Sequence, residues 1–176
     1  MFDPEQLEPY TTATAVIDWD HPAVAEQARA LGAGANDEFG IVRRCFEWVS
    51  NHIHHSIDCH GESLPCTASE VLAEGHGLFY AKSHLFAALV RANGIPAGFD
   101  YQRLADDRWN YVLHGLNTVR LAGHGWLQLD PRGRADSVTR LTSPREHLVF
   151  GTSEPGELNY RLNLAEPLPE LVRLLK

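Results

Sequence analysis

Cysteine is scarce: Cys45, Cys59 and Cys66 are the whole complement of the 176-residue chain. An odd number, spread through a sequence with no secretion signal at its start, argues against a disulfide framework and predicts reduced thiols. Clusters of positive charge are missing as well. Lys and Arg number 15 against 23 Asp and Glu, for a net charge of -8. No block of basic residues occurs, so the electrostatic footprint of a nucleic-acid or anionic-membrane binder is absent. No apolar run approaches the ~20 residues a membrane span needs, and the opening MFDPEQLEPY has neither a basic nor an apolar signal region. These absences predict a cytoplasmic protein whose partner is a small-molecule or peptide-like substrate, with no nucleic acid and no membrane. They leave the oligomeric state open.

What is present suffices for one core: 44% of the residues are hydrophobic, enough for a single domain over residues 1–176 and too few for two. Pro22 to Leu31 reads as a short helix, and Leu31-Gly32-Ala33-Gly34-Ala35 as a loop. From Asp37 the apolar residues Ile41, Val42, Cys45, Phe46, Val49 and Ile53 recur at three- and four-residue spacing, which predicts an amphipathic helix with Asn36 as its cap. A polar segment from Ser56 to Pro65 follows. Thr67-Ala68-Ser69-Glu70 has the pattern of a capping box and should open a short helix ending at Gly75. After Gly77, the residues Leu78, Ala81, Leu85, Ala88, Leu89 and Ala92 form one apolar face while Phe79, Phe86 and Val90 lie on others, so the next helix should be largely buried, with Gly94 and Pro96 ending it.

Beyond Pro96 the period changes to two. Gly98 to Leu104, Tyr111 to Leu121 and Gly125 to Asp130 read as strands, joined by loops at Ala105 to Asn110 and at Ala122-Gly123-His124. Helices followed by an antiparallel meander predict an α+β fold, with the central helix on the sheet. Toward the C-terminus, Leu148 to Phe150 reads as a strand and Leu171 to Leu175 as a helical turn, while Pro167 and Pro169 argue against a regular element around them. If residues 122 to 124 form an odd loop, residue 116 opposes residue 130. His114 and Asp130 then share a face as diagonal neighbours within side-chain reach, which makes them a candidate orienting pair.

Such a pair acts on a third partner. The glycine-entered helix start is where a thiol is most easily ionised, because the helix dipole and free N–H groups lower its pKa. In Gly75-His76-Gly77-Leu78-Phe79-Tyr80-Ala81-Lys82-Ser83-His84 the residue presented there is Phe79. The stretch from Gly75 to Leu104, together with Thr67 to Leu72, His114-Gly115-Leu116-Asn117 and Trp126 to Gly133, resembles the bacterial transglutaminase-like proteins, whose core is related to papain-type cysteine proteases. The resemblance implies a transglutaminase-like, papain-like α+β core with helices packed on an antiparallel sheet. Aligned through Tyr80-Ala81-Lys82-Ser83, the family's catalytic cysteine falls on Phe79, its general base on His114 and the residue orienting that base on Asp130. No cofactor is implied.

A phenyl ring cannot attack an acyl carbon, so ordinary transglutaminase or cysteine-protease activity is blocked at its first step. Three readings follow. The chain is an enzyme repurposed to chemistry that needs a base but no nucleophile, with His114 and Asp130 catalytic; or a pseudoenzyme that binds a ligand or protein in the old cleft; or an acyl transferase or amidohydrolase using another thiol, Cys66 before Cys59. In the cleft, His76, Leu78 and Tyr80 flank the helix start as candidate substrate contacts. The resemblance brings the segment of Tyr101 and Gln102 near the site, and Trp126 either walls the cleft or packs in the core. Lys82 reads as a solvated or ion-paired helix residue, Ser83 and His84 as packing groups. The cluster His52, His54, His55, Cys59, His60 and Cys66 has atom types that suit zinc, but no tight ligand spacing, and reads as solvated histidines at a helix end rather than a metal site.

Overall fold

The structure is a computed structural model that describes residues 4–61, 63–106, 108, 110–133 and 137–176. Met1 to Asp3 of the N-terminal stretch, and Glu62, Asp107 and Trp109 of the two predicted loops, lie outside the described residues. A 3-10 turn over Pro4–Tyr10 leads into α1 (Pro22–Gly32) and α2 (Glu38–His52). Asp37, not Asn36, caps α2: its side chain accepts from the Gly40 N–H at 2.7 Å. The buried face of α2 carries Val42, Cys45, Phe46 and Val49, as the periodicity predicts.

Strand β1 (His54–His55) follows, then α3 (Ala68–Glu74), whose Thr67/Glu70 capping box forms as expected. Gly75 ends α3 in the left-handed region at φ 70°, where a side chain would be strained. Strand β2 (His76–Gly77) pairs in parallel with β1, placing His55 opposite Gly77, two residues before α4 (Phe79–Arg91). Every residue from Tyr80 to Arg91 is buried, because α4 packs against α1, α2 and α3 as well as against β4.

The sheet has the order β5-β4-β3-β6, built from β3 (Ala97–Ala105), β4 (Tyr111–Leu121), β5 (Gly125–Leu129) and β6 (Leu158–Asn159), all antiparallel. Asn117 ties α4 to the sheet: its Nδ2 donates to the Ser83 and Gly98 carbonyls at 3.1 Å each. Two features differ from the sequence reading of the C-terminal part. Leu148 to Phe150 is not a strand; His147 alone bridges Leu129 in parallel, and β6 forms later. Pro169 opens α5 (Pro169–Leu175), since a proline at the first helical position loses only an N–H that would have no helical partner.

Candidate functional site

The register that pairs Asn117 with Leu129 carries on to Leu116 and Asp130, so His114 and Asp130 come together as the odd loop requires. The His114 Nε2 lies 2.7 Å from Asp130 Oδ2, with both side chains almost wholly buried. Asp130 also accepts from two backbone groups, Arg132 N–H at 3.0 Å and Val149 N–H at 3.4 Å. An ionised carboxylate has no proton to give, so His114 Nε2 carries the hydrogen and Nδ1 is its basic nitrogen. The segment past β5 is laced back over the pair, because Asp130 N donates to the His147 carbonyl and His147 N to the Gln128 carbonyl.

Phe79 is the first residue of α4 and half-buried. Its ring stands 4.7 Å from the His114 ring, 4.2 Å from that of Tyr80 and 5.8 Å from that of His55, with which it stacks. Phe150 meets His114 edge-on at 5.1 Å. A cavity of about 390 Å³ opens between them, walled by Phe79, His114, His55, Phe150, Leu104 and Val112. It is apolar apart from its histidines and the edges given by Arg132 and Glu157.

The other sequence-derived candidates are spread around this centre. Tyr80 is buried beneath Phe79 and its hydroxyl donates to the Leu113 carbonyl; burial pushes that phenol up to about 12. Leu78 precedes α4 without a side-chain cap. Gln102 sits opposite His114 in the β3–β4 register and donates to the Phe150 carbonyl at 3.3 Å. Tyr101 points the other way, its hydroxyl accepting from Leu168 N–H at 3.0 Å. His76 is held by Ser56 and Ser63 at 3.0 and 3.3 Å, and Trp126 packs on Tyr10 with ring centroids 4.8 Å apart. None of these six lines the cavity.

Two residues depart from their sequence readings. Lys82 is not solvated but 1% exposed, and its ammonium donates to the carbonyls of Ile53 and Arg132 at 2.7 Å each. Burial brings its pKa down to about 8, with the nearby Arg132 charge acting the same way. His55 is not a helix-end histidine: α2 stops at His52, and His55 is buried in β1 with its pKa pushed down to about 4, first by burial and then by Arg132. Ser83 and His84 are packing groups; His84 Nδ1 bonds the Cys66 carbonyl at 2.7 Å. Among the described residues, no three His, Cys, Asp or Glu side chains gather closely enough to hold a metal ion. Cys66 is buried, its thiol pushed up by desolvation and placed 4.0 Å from the Val172 carbonyl, away from the cavity.

The start of α4 thus lies beside a histidine–aspartate pair, the histidine from β4 and the aspartate just past the end of β5, in an α+β fold of helices packed on an antiparallel sheet. The chain belongs to the transglutaminase-like superfamily, whose core model matches residues 25–131, more than half of the sequence. Among solved structures it is similar to a candidate cysteine protease from Cytophaga hutchinsonii (19% identity, TM-score 0.61), covering 74% of this chain and 43% of that one. It is also similar to the periplasmic domain of TgpA from Pseudomonas aeruginosa (19% identity, TM-score 0.53), with 74% and 48% covered. The chain thus spans less than half the length of either, and the likeness is one of fold. No curated protein matches the sequence. No helix of the described residues is long and apolar enough to cross a membrane.

Proposed function

We propose that this transglutaminase-like chain, with Phe79 where the family has its nucleophile, performs acid–base chemistry with His114 and Asp130 on a small-molecule or peptide-like substrate. The observation that carries the reading is the 2.7 Å bond between His114 Nε2 and Asp130 Oδ2 in the wall of an otherwise apolar cavity. With Nε2–H engaged, His114 Nδ1 takes a proton from a substrate carbon, hydroxyl or water, Asp130 stabilises the imidazolium, and the same proton is returned to the product. General acid–base catalysis of this kind contributes on the order of 10²- to 10⁴-fold. The reading needs no thiol, cofactor or metal; a cytoplasmic location is part of the same proposal, supported by the three free cysteines, and fractionation tests it.

A second reading is favoured by the packing of Phe79. Its ring lies against those of both His114 and His55, which makes the cleft a ligand-binding surface without turnover. The two are separated by incubating wild type and His114→Ala with cell-extract metabolites and acyl-amide substrates, followed by mass spectrometry. Turnover by wild type that His114→Ala abolishes, with the fold intact by circular dichroism, supports the acid–base reading. An inert wild type that still retains a ligand supports the binder.

A further inference from the structure

A second cavity, of about 520 Å³, adjoins the first and shares His55 and Arg132 with it. Its other walls include Ser50, Ile53, Asp58 and Lys82. The Lys82 ammonium has three hydrogens and bonds two carbonyls, which leaves one N–H for the cavity. Among the described residues no carboxylate lies within ion-pair distance of it: Asp58 pairs with Arg132 at 3.7 Å, and Asp130 is taken up by His114 and two backbone N–H groups. Ser50 Oγ and both ring nitrogens of His55 are also buried without a hydrogen-bond partner. A buried ammonium with Asp130 and Asp58 nearby but no carboxylate in contact, next to unpartnered polar atoms, is costly unless something pairs with it.

We propose that this cavity binds the carboxylate of a ligand whose apolar part lies in the cavity beside Phe79 and His114. Lys82 supplies a fixed N–H, Arg132 a guanidinium at the boundary, and Ser50 a hydroxyl donor. Lys82 and Arg132 are partly offset by Asp58 and by the more distant Asp130, so a monoanion adds little excess negative charge where a phosphate dianion would add twice as much. The shared wall aligns the two halves: a carboxylate against Lys82 and Arg132 carries its apolar body across His55 toward Phe79. The pair of cavities deepens the acid–base reading by giving its substrate a charge, and rests on that reading for the role of the apolar half alone.

The test is isothermal titration of the whole chain with benzoate, with benzamide as its neutral counterpart and with inorganic phosphate, for wild type, Lys82→Met and Arg132→Gln. Lys82 bonds the carbonyl of residue 132 and not its side chain, so Arg132→Gln leaves that tie in place and carries the test if Lys82→Met fails to fold. The expected result is that benzoate binds more tightly than benzamide or phosphate, and that each folded variant weakens benzoate about tenfold or more, the loss of a charge-assisted hydrogen bond. Equal binding of benzoate and benzamide, no binding of benzoate at millimolar concentration, or unchanged affinity in Arg132→Gln overturns the proposal. Phosphate binding more tightly than benzoate overturns the carboxylate in favour of a phosphate site. Binding is read without turnover, so a failure of the acid–base reading and a failure of the anion site are seen separately.

Discussion

The Phe79 ring stands 4.7 Å from the ring of His114, inclined at 48°. A side chain at the first position of α4 therefore reaches the histidine that Asp130 orients, and what it brings there is an apolar face. The site joins a polar pair, bonded at 2.7 Å, to a wall able to exclude water from a bound substrate. A base and its orienting carboxylate can work in such a place without a nucleophile.

Asp130 is fully buried and serves three donors. Asp130→Asn removes one acceptor and turns an amide N–H toward a donor. Unfolding by urea should show a loss of about 1–3 kcal/mol. Nitrogen NMR of the histidines should show His114 leaving the Nε2–H tautomer. An unchanged tautomer would mean that Asp130 does not set it.

Gly115 lets Tyr80 lie flat against β4. A Cβ at residue 115 would stand 2.7 Å from Tyr80 Cδ1, and Tyr80 is held by its bond to the Leu113 carbonyl. Gly115→Ala should cost about 1–3 kcal/mol by overpacking. It should also weaken any ligand of the Phe79 cavity, because Tyr80 supports Phe79 edge-on at 4.2 Å. Melting temperature and ligand titration check the two effects.

Burial pushes His84 and His55 down to about 4. Their unfolded forms take up protons near pH 6.5 while the folded ones stay neutral. The unfolded chain then binds more protons than the folded one, so stability falls as pH drops from about 6.5 to about 4 and levels off below. Both are buried, and a shift of this size is worth at most about 3 kcal/mol for each. Urea midpoints at pH 7, 5.5 and 4 should decline in that order; a midpoint that rises toward pH 5.5 would contradict the assignment.

The elements that carry His114 and Asp130 were legible because their signals are local. The change of period at Pro96 marks the strands, the odd loop at residues 122 to 124 fixes their register, and the register fixes the pair. Lys82 and His55 were not legible, since what buries them is distant in sequence: Lys82 reaches carbonyls of residues 53 and 132, and His55 is carried to Phe79 by its pairing with Gly77. An ammonium that finds carbonyls only after folding looks, in sequence, like any exposed helix lysine. The two-residue β6 pairs with β3 from more than fifty residues away, a contact with no local signature.

The central claim is that Phe79 occupies a nucleophile's seat in a site otherwise able to activate one. Phe79→Cys tests it most directly, by following the alkylation rate of the introduced thiol with iodoacetamide against pH, in a background where Cys59, the one exposed native thiol, is replaced by serine. The helix start and the neighbouring His114 should hold that thiol ionised well below the ordinary ~8.5, with a further change when His114 is replaced by alanine. A thiol that titrates at or above ~8.5, indifferent to His114, would show that the seat was never built for a nucleophile.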